Sequence, residues 1–477
     1  MKILGLVVSI LLFVVNVQAN ANKDVQDSIV KIYTVSKIPN YAIPWNSSIR
    51  RSHGSGSIIL GNRILTNAHV VANETFIEVK RHGQIKRYQA EVEFISHQSD
   101  LALLRVKDES FFDNTIPLEF AQLPQIQQKI SVYGFPLGGN SLSVSTGIVS
   151  RLEHHTYAHS RENFLSIQID AAVNPGNSGG PAISNGKITG VVMQQITKSQ
   201  NIGYIVPCVV VKHFLEDVKD GLYDGFANLG IGTQKMESKT LRDVYGMNKD
   251  VSGVMVMKVS TLSSAYEVLE SGDILLSIDG HRIYNDGTVE FMPQQYTSFM
   301  YYADKKQIGD SIEFELLRDF KRVEVEVRLQ NVANDDLLVD TIEHDVMPRY
   351  TIYGGYVFTP LSRNLLSKKG SNRLELSEAA SKWATVEKDE EVVLLKVLAD
   401  NTNRGNHNIT YWLIKTVNDT EFKNFEEFKK LVANSKKKYL LLKNKDGVKI
   451  AIDNDKAKGI EKQILKRYSI NTNSNQK

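Results

Sequence analysis

The segment of this sequence best suited to nucleophilic catalysis is a short stretch in which a serine lies among glycines. It reads Asn-Pro-Gly-Asn-Ser-Gly-Gly-Pro over residues 174–181, with Ser178 at its centre. A serine nucleophile needs a tight turn that directs backbone N–H groups at a developing oxyanion, and neighbouring glycines permit such a turn. The segment predicts an oxyanion hole formed by Gly176, Asn177 and Ser178, with the N–H groups of Gly176 and Ser178 as the natural donors. An ordinary glycine-rich turn is the alternative.

Two further residues could activate this serine, because a hydroxyl nucleophile needs a base and the base needs an orienting group. His69 lies in Thr-Asn-Ala-His-Val-Val over 66–71, and Asp100 immediately precedes the apolar run Leu-Ala-Leu-Leu. Alone, a histidine at a strand end is more often structural, and an aspartate before a strand is more often a turn cap. Together they follow the chymotrypsin order His, Asp, Ser. This order predicts a catalytic triad of His69, Asp100 and Ser178.

Short β-branched segments separated by Gly, Asn and Pro turns fill residues 25–215 and must position these side chains. Many short strands with closely spaced turn signals are typical of an all-β sandwich or a pair of barrels. Residues 209–218 instead have apolar positions at helical i, i+3 and i+4 spacing, which predicts one helix closing this domain. The polar, glycine-containing stretch 219–228 predicts a linker.

Two α+β units of ordinary domain size follow the linker. The first has predicted strands at 253–259, 273–278, 311–317 and 323–329 and a predicted helix near 263–269. The second has predicted strands at 356–359, 391–397 and 439–442 and a predicted helix at 424–433. Residues 453–477 are charged and then rich in Asn and Ser, so we expect a short helix that frays into disorder.

Five segments together resemble the HtrA/Deg proteases, which are exported or organellar quality-control enzymes with PDZ domains. They are residues 53–59, 66–71, 100–104, 174–181 and 201–207. Three more segments resemble the plant-type Deg branch, which has one PDZ domain and one degenerate PDZ-like domain. These are residues 40–45, 284–289 and 355–361. One departure is Pro175, where many relatives carry a small residue and where a fixed φ could alter the oxyanion loop.

The sequence and this resemblance together imply a mainly β chain, in which a chymotrypsin-like double β-barrel protease domain precedes two α+β PDZ-type domains. A chain of 477 residues is too long for one core and accommodates about three domains. The expected boundaries are a signal peptide over 1–21, a trypsin-like protease domain over 22–222, a PDZ domain over 228–335, a degenerate PDZ-like domain over 345–455 and a polar tail over 456–477.

The specificity of the protease is predicted from three residues. Ala172 lies six residues before the serine, where trypsin-like enzymes carry the acid that selects Lys or Arg. Met193 and Ile205 are candidate wall residues of the same pocket. An apolar or small pocket predicts cleavage after aliphatic or small residues, as the family resemblance also implies.

The most recognisable PDZ-like segment is Ser-Gly-Asp-Ile-Leu-Leu-Ser-Ile-Asp-Gly over 271–280. A PDZ domain adds an extended peptide to a sheet edge and captures its C-terminal carboxylate in a backbone nest. By resemblance, the carboxylate loop and strand are Asn228, Leu229, Gly230 and Ile231. A packing or oligomer-contact module that binds no free peptide is the alternative, and it is favoured for the second domain, which has lost the Gly-Asp segment.

Residues 151–162 contain three histidines and have two interpretations. His154, His155 and His159 have a spacing that could ligate a metal, but no Cys or carboxylate cluster completes a site, so a loop is the better interpretation. By resemblance, this is the mobile loop that senses PDZ occupancy or neighbouring subunits, with Arg161 as a candidate contact. Elsewhere, Tyr41 and its neighbour Trp45 could be buried in a trimer contact or packed on their own domain.

Bulk composition argues against other classes of protein. A net charge of +3, from 57 basic and 54 acidic residues, gives no clustered basic footprint, so no nucleic-acid partner is expected. Met1 and Lys2 precede an apolar run over 3–15 and then small residues, which predicts a signal peptide cleaved after Ala19 or Ala21 and no stable membrane span. The single cysteine, Cys208, has an apolar setting typical of a structural thiol.

These observations predict an exported, ATP-independent serine endopeptidase that acts on unfolded or misfolded polypeptides in the periplasm or outside the cell. We expect peptide C-termini to bind the first PDZ domain, and a homo-oligomer built from trimers. The mechanism requires no metal or organic cofactor. The alternative is a chaperone or peptide-binding scaffold on the same fold, with the protease site inactive at rest.

Overall fold

The computed structural model describes residues 25–136, 139, 141–195, 202–330, 337–339, 341–367 and 374–475. The predicted signal peptide lies outside these residues. The described part of the chain forms two closed β-barrels followed by two smaller α+β domains. The mainly β architecture expected from the sequence is therefore confirmed.

The first barrel is closed in the strand order β1-β2-β3-β6-β5-β4. Its strands are β1 (Ile29–Pro39), β2 (Ser47–Ile59), β3 (Arg63–Thr66), β4 (Glu74–Arg81), β5 (Tyr88–Ser96) and β6 (Leu101–Val106). A one-turn helix, α1 (Ala68–Val71), follows β3 and carries His69.

The second barrel has the order β10-β11-β12-β9-β8-β7. Its strands are β7 (Lys129–Gly134), β8 (Ser143–Thr156), β9 (Asn163–Ile169), β10 (Pro181–Ser184), β11 (Lys187–Gln195) and β12 (Gly203–Pro207). The predicted closing helix is α2 (Cys208–Asp217), which begins with the buried free thiol of Cys208.

The apolar run of β6 has a physical reason, because both faces of this strand are buried. Leu101 and Leu103 belong to the core between the barrels, whereas Ala102 and Leu104 belong to the core inside the first barrel. Alternate residues of a strand face opposite sides, so a strand buried on both sides becomes continuously apolar. Asp100 precedes this strand and is thereby placed at the junction of the barrels.

The predicted linker is packed against the protease domain. Phe226 is 3% exposed and belongs to the core between the barrels. The hydroxyl of Tyr223 contacts Ser96 and Gln98, both next to the turn that holds Asp100. The connection between the barrels and the first α+β domain is therefore packed at residues 223 and 226, which is a correction to the expected polar linker.

The first α+β domain, predicted to be a PDZ domain, contains a sheet of order β13-β14-β15-β19-β20, with β16 paired to β15. The strands are β13 (Ile231–Lys235), β14 (Val254–Val259), β15 (Ile274–Ile278), β16 (His281–Arg282), β19 (Ser311–Arg318) and β20 (Lys321–Arg328), and a separate hairpin is formed by β17 (Thr288–Met292) and β18 (Gln295–Ser298). Its helices are α3 (Lys239–Val244) and α4 (Met300–Asp304). The predicted helix near 263–269 is wrong: this stretch forms successive turns, with φ of 65° at Glu267.

The second α+β domain, predicted to be a degenerate PDZ-like domain, has two sheets, of order β24-β23-β22-β21-β28 and β25-β26-β27. The strands are β21 (Tyr350–Tyr353), β22 (Tyr356–Pro360), β23 (Val392–Val397), β24 (Trp412–Ile414), β25 (Thr416–Val417), β26 (Tyr439–Lys443), β27 (Lys449–Asp453) and β28 (Ser474–Asn475). The helices are α5 (Arg363–Leu366), α6 (Leu374–Ala379), α7 (Phe425–Ala433) and α8 (Asn454–Arg467).

The expected polar tail over 456–477 is instead part of this domain. Helix α8 buries Ala457 and Ile464, and Ile460 packs partly against the same domain. Strand β28 then pairs with β21 at the edge of the sheet. Charged and Asn-rich composition suggested fraying, but the i, i+3, i+7 spacing of these apolar residues is that of an amphipathic helix. Within the described ranges, no helix is both long and apolar enough to cross a membrane.

Candidate active site

His69 and Asp100 meet at the junction of the two barrels. The Nδ1 atom of His69 is 2.7 Å from Oδ2 of Asp100 and 3.0 Å from Oδ1. The backbone N–H of His69 donates a further hydrogen bond of 2.9 Å to Oδ1. The carboxylate thus holds both the ring and the backbone of His69. Because a carboxylate accepts the Nδ1 proton, Nε2 keeps the lone pair that a base needs.

The two groups also set each other's charge. Burial disfavours a charged carboxylate, but the charge and hydrogen bonds of His69 outweigh it and lower the pKa of Asp100. Burial likewise disfavours a charged imidazole, but the Asp100 carboxylate outweighs it and raises the pKa of His69. Asp100 is 1% exposed, whereas 32% of the His69 side chain is exposed. An ionised carboxylate therefore supports an imidazole that can take up a proton from the solvent-facing side.

Asn67 fixes the conformation of Asp100. Asp100 has a φ of 55°, which few residues other than glycine adopt. The side-chain amide of the buried Asn67 donates a hydrogen bond of 2.8 Å to the backbone carbonyl of Asp100. Asn67 lies in the motif over 66–71, but its role was not predicted from the sequence. Its position two residues before His69 was the available signal.

The hydroxyl of Ser178 is hydrogen-bonded to a backbone carbonyl rather than to His69. Its Oγ donates a hydrogen bond of 3.2 Å to the carbonyl oxygen of Met193, on β11. Across the described residues, no hydrogen bond joins Ser178 to His69. Hydrogen bonds between catalytic groups are often long or poorly aligned before substrate binds. Because the hydroxyl has a single proton to donate, it must leave the carbonyl of Met193 before it can donate to His69.

The loop before the serine leaves two N–H groups available. Gly176 has a φ of 101°, a conformation that glycine adopts without steric cost. The N–H of Asn177 donates to the carbonyl of Asn174 at 3.0 Å, so Asn177, which we expected in the oxyanion hole, does not offer its N–H there. Within the described ranges, the N–H groups of Gly176 and Ser178 make no hydrogen bond. They are the pair that could stabilise an oxyanion.

Ser55 connects the two barrels directly behind this loop. Its Oγ donates to the carbonyl of Gly176 at 2.7 Å and accepts from the N–H of Phe135 at 2.9 Å. Its backbone N–H donates to the carbonyl of Ser178 at 2.9 Å. Ser55 therefore positions the serine loop from the first barrel. The sequence motif contained it between Gly54 and Gly56, but sequence reasoning gave it no role.

The expected specificity residues lie in different surroundings. Ala172 is exposed, and its carbonyl accepts a hydrogen bond of 2.7 Å from the Ser145 hydroxyl. Met193 is buried in the core between the barrels, whereas Ile205 is buried in the core of the second barrel. Residues 196–201, between these two, lie outside the described residues. The cleavage preference therefore stays a prediction.

The predicted carboxylate loop of the first PDZ domain precedes an edge strand. Asn228 accepts a hydrogen bond of 2.8 Å from the N–H of Gly230, which has a φ of 62°. Leu229 is 1% exposed and anchors the loop in the domain core. Ile231 begins β13, which in the described part of the chain pairs only with β14. Its other edge offers backbone groups to a peptide strand.

The segment 151–162 joins the second barrel to this PDZ domain. Its first half, 151–156, belongs to strand β8, and its second half, 157–162, forms the hairpin turn to β9. A cavity of about 400 Å³ lies between the turn and the PDZ domain. Its lining includes His154 and Glu162 from the protease side, Asn228 from the carboxylate loop and Ala227 just before it. This cavity brings the loop predicted to bind peptide next to the predicted sensor.

The three histidines of this segment point to different sites. His154 contacts the first PDZ domain, with its Nε2 3.0 Å from Oδ2 of Asp304. His155 stacks on Tyr204 with ring centroids 4.2 Å apart. The centroid of the His159 ring is 6.1 Å from that of His69. The sidechain of nearby Arg161 is exposed.

His159 lies beside two histidines that are distant in sequence, His97 and His344. Its Nε2 is 2.9 Å from Nδ1 of His97, and its ring stacks on that of His344 with centroids 3.9 Å apart. Burial lowers the pKa of His159 to about 3 and that of His344 to about 4, so both rings are neutral near pH 7. Sequence reasoning missed this group because its members share no local motif.

Tyr41 and Trp45 pack against the second PDZ domain. Tyr41 is 7% exposed within a core of that domain, and its hydroxyl is 3.4 Å from a carboxylate oxygen of Glu343. The Trp45 ring meets Tyr350 edge-on, with centroids 5.9 Å apart. The segment before β2 therefore ties the protease domain to the end of the chain.

A double β-barrel with a His–Asp pair at its junction and a serine in a glycine turn defines the trypsin-like serine proteases. Protein-family models agree with this class. A model described as trypsin-like peptidase domain matches residues 54–191, and two models described as PDZ domain match residues 227–329 and 339–476. The last match extends through helix α8, as the structure does.

Curated relatives then show the family. Protease Do-like 4, mitochondrial, of Arabidopsis thaliana is 37% identical over 419 residues, covering 87% of this chain and 79% of the relative. Putative protease Do-like 13 of the same plant is 37% identical over 452 residues, covering 94% of this chain and 89% of the relative. The chain belongs to the Do-like (HtrA/Deg) family of serine proteases, and it is a serine endopeptidase.

Solved structures show the same fold. HtrA-type protease AlgW with tripeptide has a TM-score of 0.51 to this chain at 23% sequence identity. The match covers 65% of this chain and 96% of that protein.

Proposed function

We propose that Ser178, His69 and Asp100 hydrolyse peptide bonds through an acyl-enzyme. His69 takes the proton of Ser178 as its oxygen attacks the substrate carbonyl, and then gives that proton to the leaving amine. Asp100 keeps the ring in the correct tautomer and stabilises its charged form. A water molecule, activated by the same histidine, then releases the second product. The observation that carries this proposal is the 2.7 Å contact between His69 and the buried Asp100 carboxylate.

The N–H groups of Gly176 and Ser178 act as the oxyanion hole in this mechanism. Two donors directed at the developing charge stabilise the transition state more than the ground state. The hydrogen bond from Ser55 to the Gly176 carbonyl supports this role, because it orients the peptide unit that follows Gly176.

The substrates we propose are unfolded or misfolded polypeptides, degraded without ATP in protein quality control. The first PDZ domain takes peptide C-termini at Asn228, Leu229, Gly230 and Ile231. The unpaired edge of β13 supports this binding mode. The cavity between this loop and the turn at 157–162 supports a path by which bound peptide affects the protease.

We further propose that the chain is exported to the periplasm or secreted, after removal of residues 1–19 or 1–21, and that it assembles as a trimer or a multiple of trimers. The apolar run over 3–15 and the small residues after it support export. Among the relatives from Arabidopsis thaliana, Protease Do-like 4 is named as mitochondrial and Protease Do-like 2 as chloroplastic.

The decisive experiment is degradation of casein by the mature chain beside Ser178→Ala, with and without peptides that end in a free hydrophobic carboxylate. We expect cleavage that is lost in Ser178→Ala and accelerated by peptide. Cleavage that peptide leaves unchanged would support the protease and contradict its coupling to the PDZ domain. No cleavage under any of these conditions would favour a chaperone or scaffold on the same fold.

A further inference from the structure

We propose that His97, His159 and His344 bind one divalent transition-metal ion, with Zn²⁺ the best match, between the protease domain and the segment that leads into the second PDZ domain. One ring nitrogen of each residue lies within 4.8 Å of those of the other two. Imidazole nitrogens are preferred ligands of Zn²⁺, and three protein ligands leave a fourth position for water. The site is separate from the triad of the proposed function.

Two of the three nitrogens already face each other. Nδ1 of His97 is 2.9 Å from Nε2 of His159. Zn–N bonds of about 2.0–2.1 Å with tetrahedral geometry place two ligand nitrogens about 3.3 Å apart. A small movement of the side chains therefore converts this contact into a pair of metal ligands.

A carboxylate holds His97 in the orientation that a metal ligand needs. Nε2 of His97 donates to Oδ2 of Asp345 at 2.7 Å, which leaves the lone pair on Nδ1, the atom that faces His159. Asp345 is itself fixed by Asn73, whose backbone N–H donates to the carboxylate and whose side-chain oxygen accepts from the Asp345 N–H at 3.2 Å. A carboxylate behind a histidine is the usual outer partner of a zinc ligand.

His344 supplies an independent observation. Its Nε2 atom is buried and has no hydrogen-bond partner among the described residues. A buried polar atom without a partner costs free energy, and such an atom in a native structure calls for an explanation such as a bound ion.

Because of the position of the site, a bound metal should affect peptide cleavage. This effect, unlike metal binding itself, rests on the proposed function. His97 lies three residues before Asp100, and the His159 ring is 6.1 Å from that of His69. A bound ion would fix the turn at 157–162 and place positive charge near the imidazolium that forms during catalysis. We therefore expect the metal to slow peptide cleavage.

The test is titration of the mature full-length chain, carrying Ser178→Ala to prevent self-cleavage, with CoCl₂. Tetrahedral Co²⁺ absorbs visible light strongly, so binding is read without any activity measurement. We expect one Co²⁺ per chain, displaced by equimolar Zn²⁺. His159→Ala and His344→Ala should each abolish the tetrahedral spectrum, and Asp345→Asn should weaken binding about 10–100-fold.

Two control variants separate this site from other histidines. His155→Ala removes a ring from the same segment that stacks on Tyr204, and His69→Ala removes the base itself. Both should keep the tetrahedral spectrum and the affinity. Circular dichroism and thermal unfolding of each variant establish that a lost spectrum does not reflect a lost fold.

Absence of a tetrahedral Co²⁺ spectrum in the parent chain would overturn the proposal, as would a spectrum that survives in both His159→Ala and His344→Ala. Loss of the spectrum in His69→Ala with retention in His344→Ala would place the ion on the catalytic base and also overturn it. In the chain with Ser178 intact, Zn²⁺ should slow casein cleavage severalfold, and His344→Ala should remove this inhibition. A chain that binds Co²⁺ but cleaves nothing would contradict the proposed function and leave the metal site supported.

Discussion

Ser178 donates its side-chain hydrogen bond to the carbonyl oxygen of Met193, at a distance of 3.2 Å. A hydrogen bond of this kind contributes about 0.5–1.5 kcal/mol net. That free energy corresponds to an about two- to tenfold preference for the orientation in which the hydroxyl donates to Met193. The resting orientation of the Ser178 hydroxyl is therefore only modestly favoured. Binding of a substrate or of a peptide can shift the hydroxyl toward His69.

The first prediction is that Ser178 reacts slowly with a fluorophosphonate probe in the resting chain. A peptide with a free hydrophobic C-terminus should increase the labelling rate about two- to tenfold, because it favours the orientation in which Ser178 meets His69. The rate is measured by gel fluorescence over time, with Ser178→Ala as the unlabelled control. Rapid labelling that peptide does not change would contradict a nucleophile held by Met193.

The second prediction concerns Ser55, which joins the barrels behind the serine loop. Ser55→Ala leaves the N–H of Phe135 and the carbonyl of Gly176 without their buried partner. We expect a loss of about 1–3 kcal/mol in the free energy of unfolding. We also expect kcat to fall more than KM rises, because the oxyanion donors lose their support.

The matched control for Ser55 lies two residues further along β2. Ser57 is also fully buried, but its hydroxyl has no hydrogen-bond partner in the described part of the chain. Ser57→Ala should therefore be neutral or stabilising in urea unfolding and should leave kcat unchanged. Equal losses in the two variants would mean that Ser55 contributes only packing.

Local patterns were enough to single out His69, Asp100 and Ser178 as candidate catalytic residues, because each lies in a short segment with a recognisable pattern of its own. Asp100 precedes a strand that is apolar on both faces, and Ser178 lies in a turn that only glycines permit. Contacts between distant segments had no such signal. The approach of His344 to His159 depends on how the second PDZ domain returns to the protease, which spacing along the chain does not encode.

Two errors in the secondary structure predicted from the sequence also have physical reasons. Residues 263–269 include apolar side chains at helical spacing, but Ser260 and Ser263 bond locally to backbone groups, and Glu267 adopts a positive φ. Such local side-chain bonds compete with a helix. At the other end, half of the residues of helix α8 are charged, and its apolar residues Ala457 and Ile464 are buried where the helix packs beside strands β21 and β27 of the second PDZ domain.

The third prediction concerns Asp304, at the contact between the first PDZ domain and β8. Burial raises the pKa of Asp304, even though His154 donates a hydrogen bond to it. A raised carboxyl pKa means that the folded state binds the proton more tightly than the unfolded state. Stability is then lost as pH rises from the unfolded pKa through the folded pKa. Asp304→Asn should therefore raise the urea midpoint at pH 7.

The rise in urea midpoint of Asp304→Asn should shrink toward zero below about pH 4, where the carboxyl of Asp304 becomes protonated in both the folded and the unfolded state. Glu324→Gln is the control, because this exposed carboxylate of the same domain should change the free energy of unfolding by less than about 0.5 kcal/mol. A lower urea midpoint for Asp304→Asn at pH 7 would show that the charge of Asp304, paired with His154, stabilises the contact.

The fourth prediction tests the contact between Trp45 and the second PDZ domain. Trp45→Ala removes an edge-on aromatic pair with Tyr350, worth about 0.5–1.5 kcal/mol beyond its buried area. Amide hydrogen exchange in β21 should therefore become faster, by about two- to tenfold. Trp383→Ala is the matched control, because Trp383 lies in the same domain but packs under Lys258 of the first PDZ domain. Unchanged exchange in Trp45→Ala, together with a smaller assembly by light scattering, would instead place Trp45 in a contact between subunits.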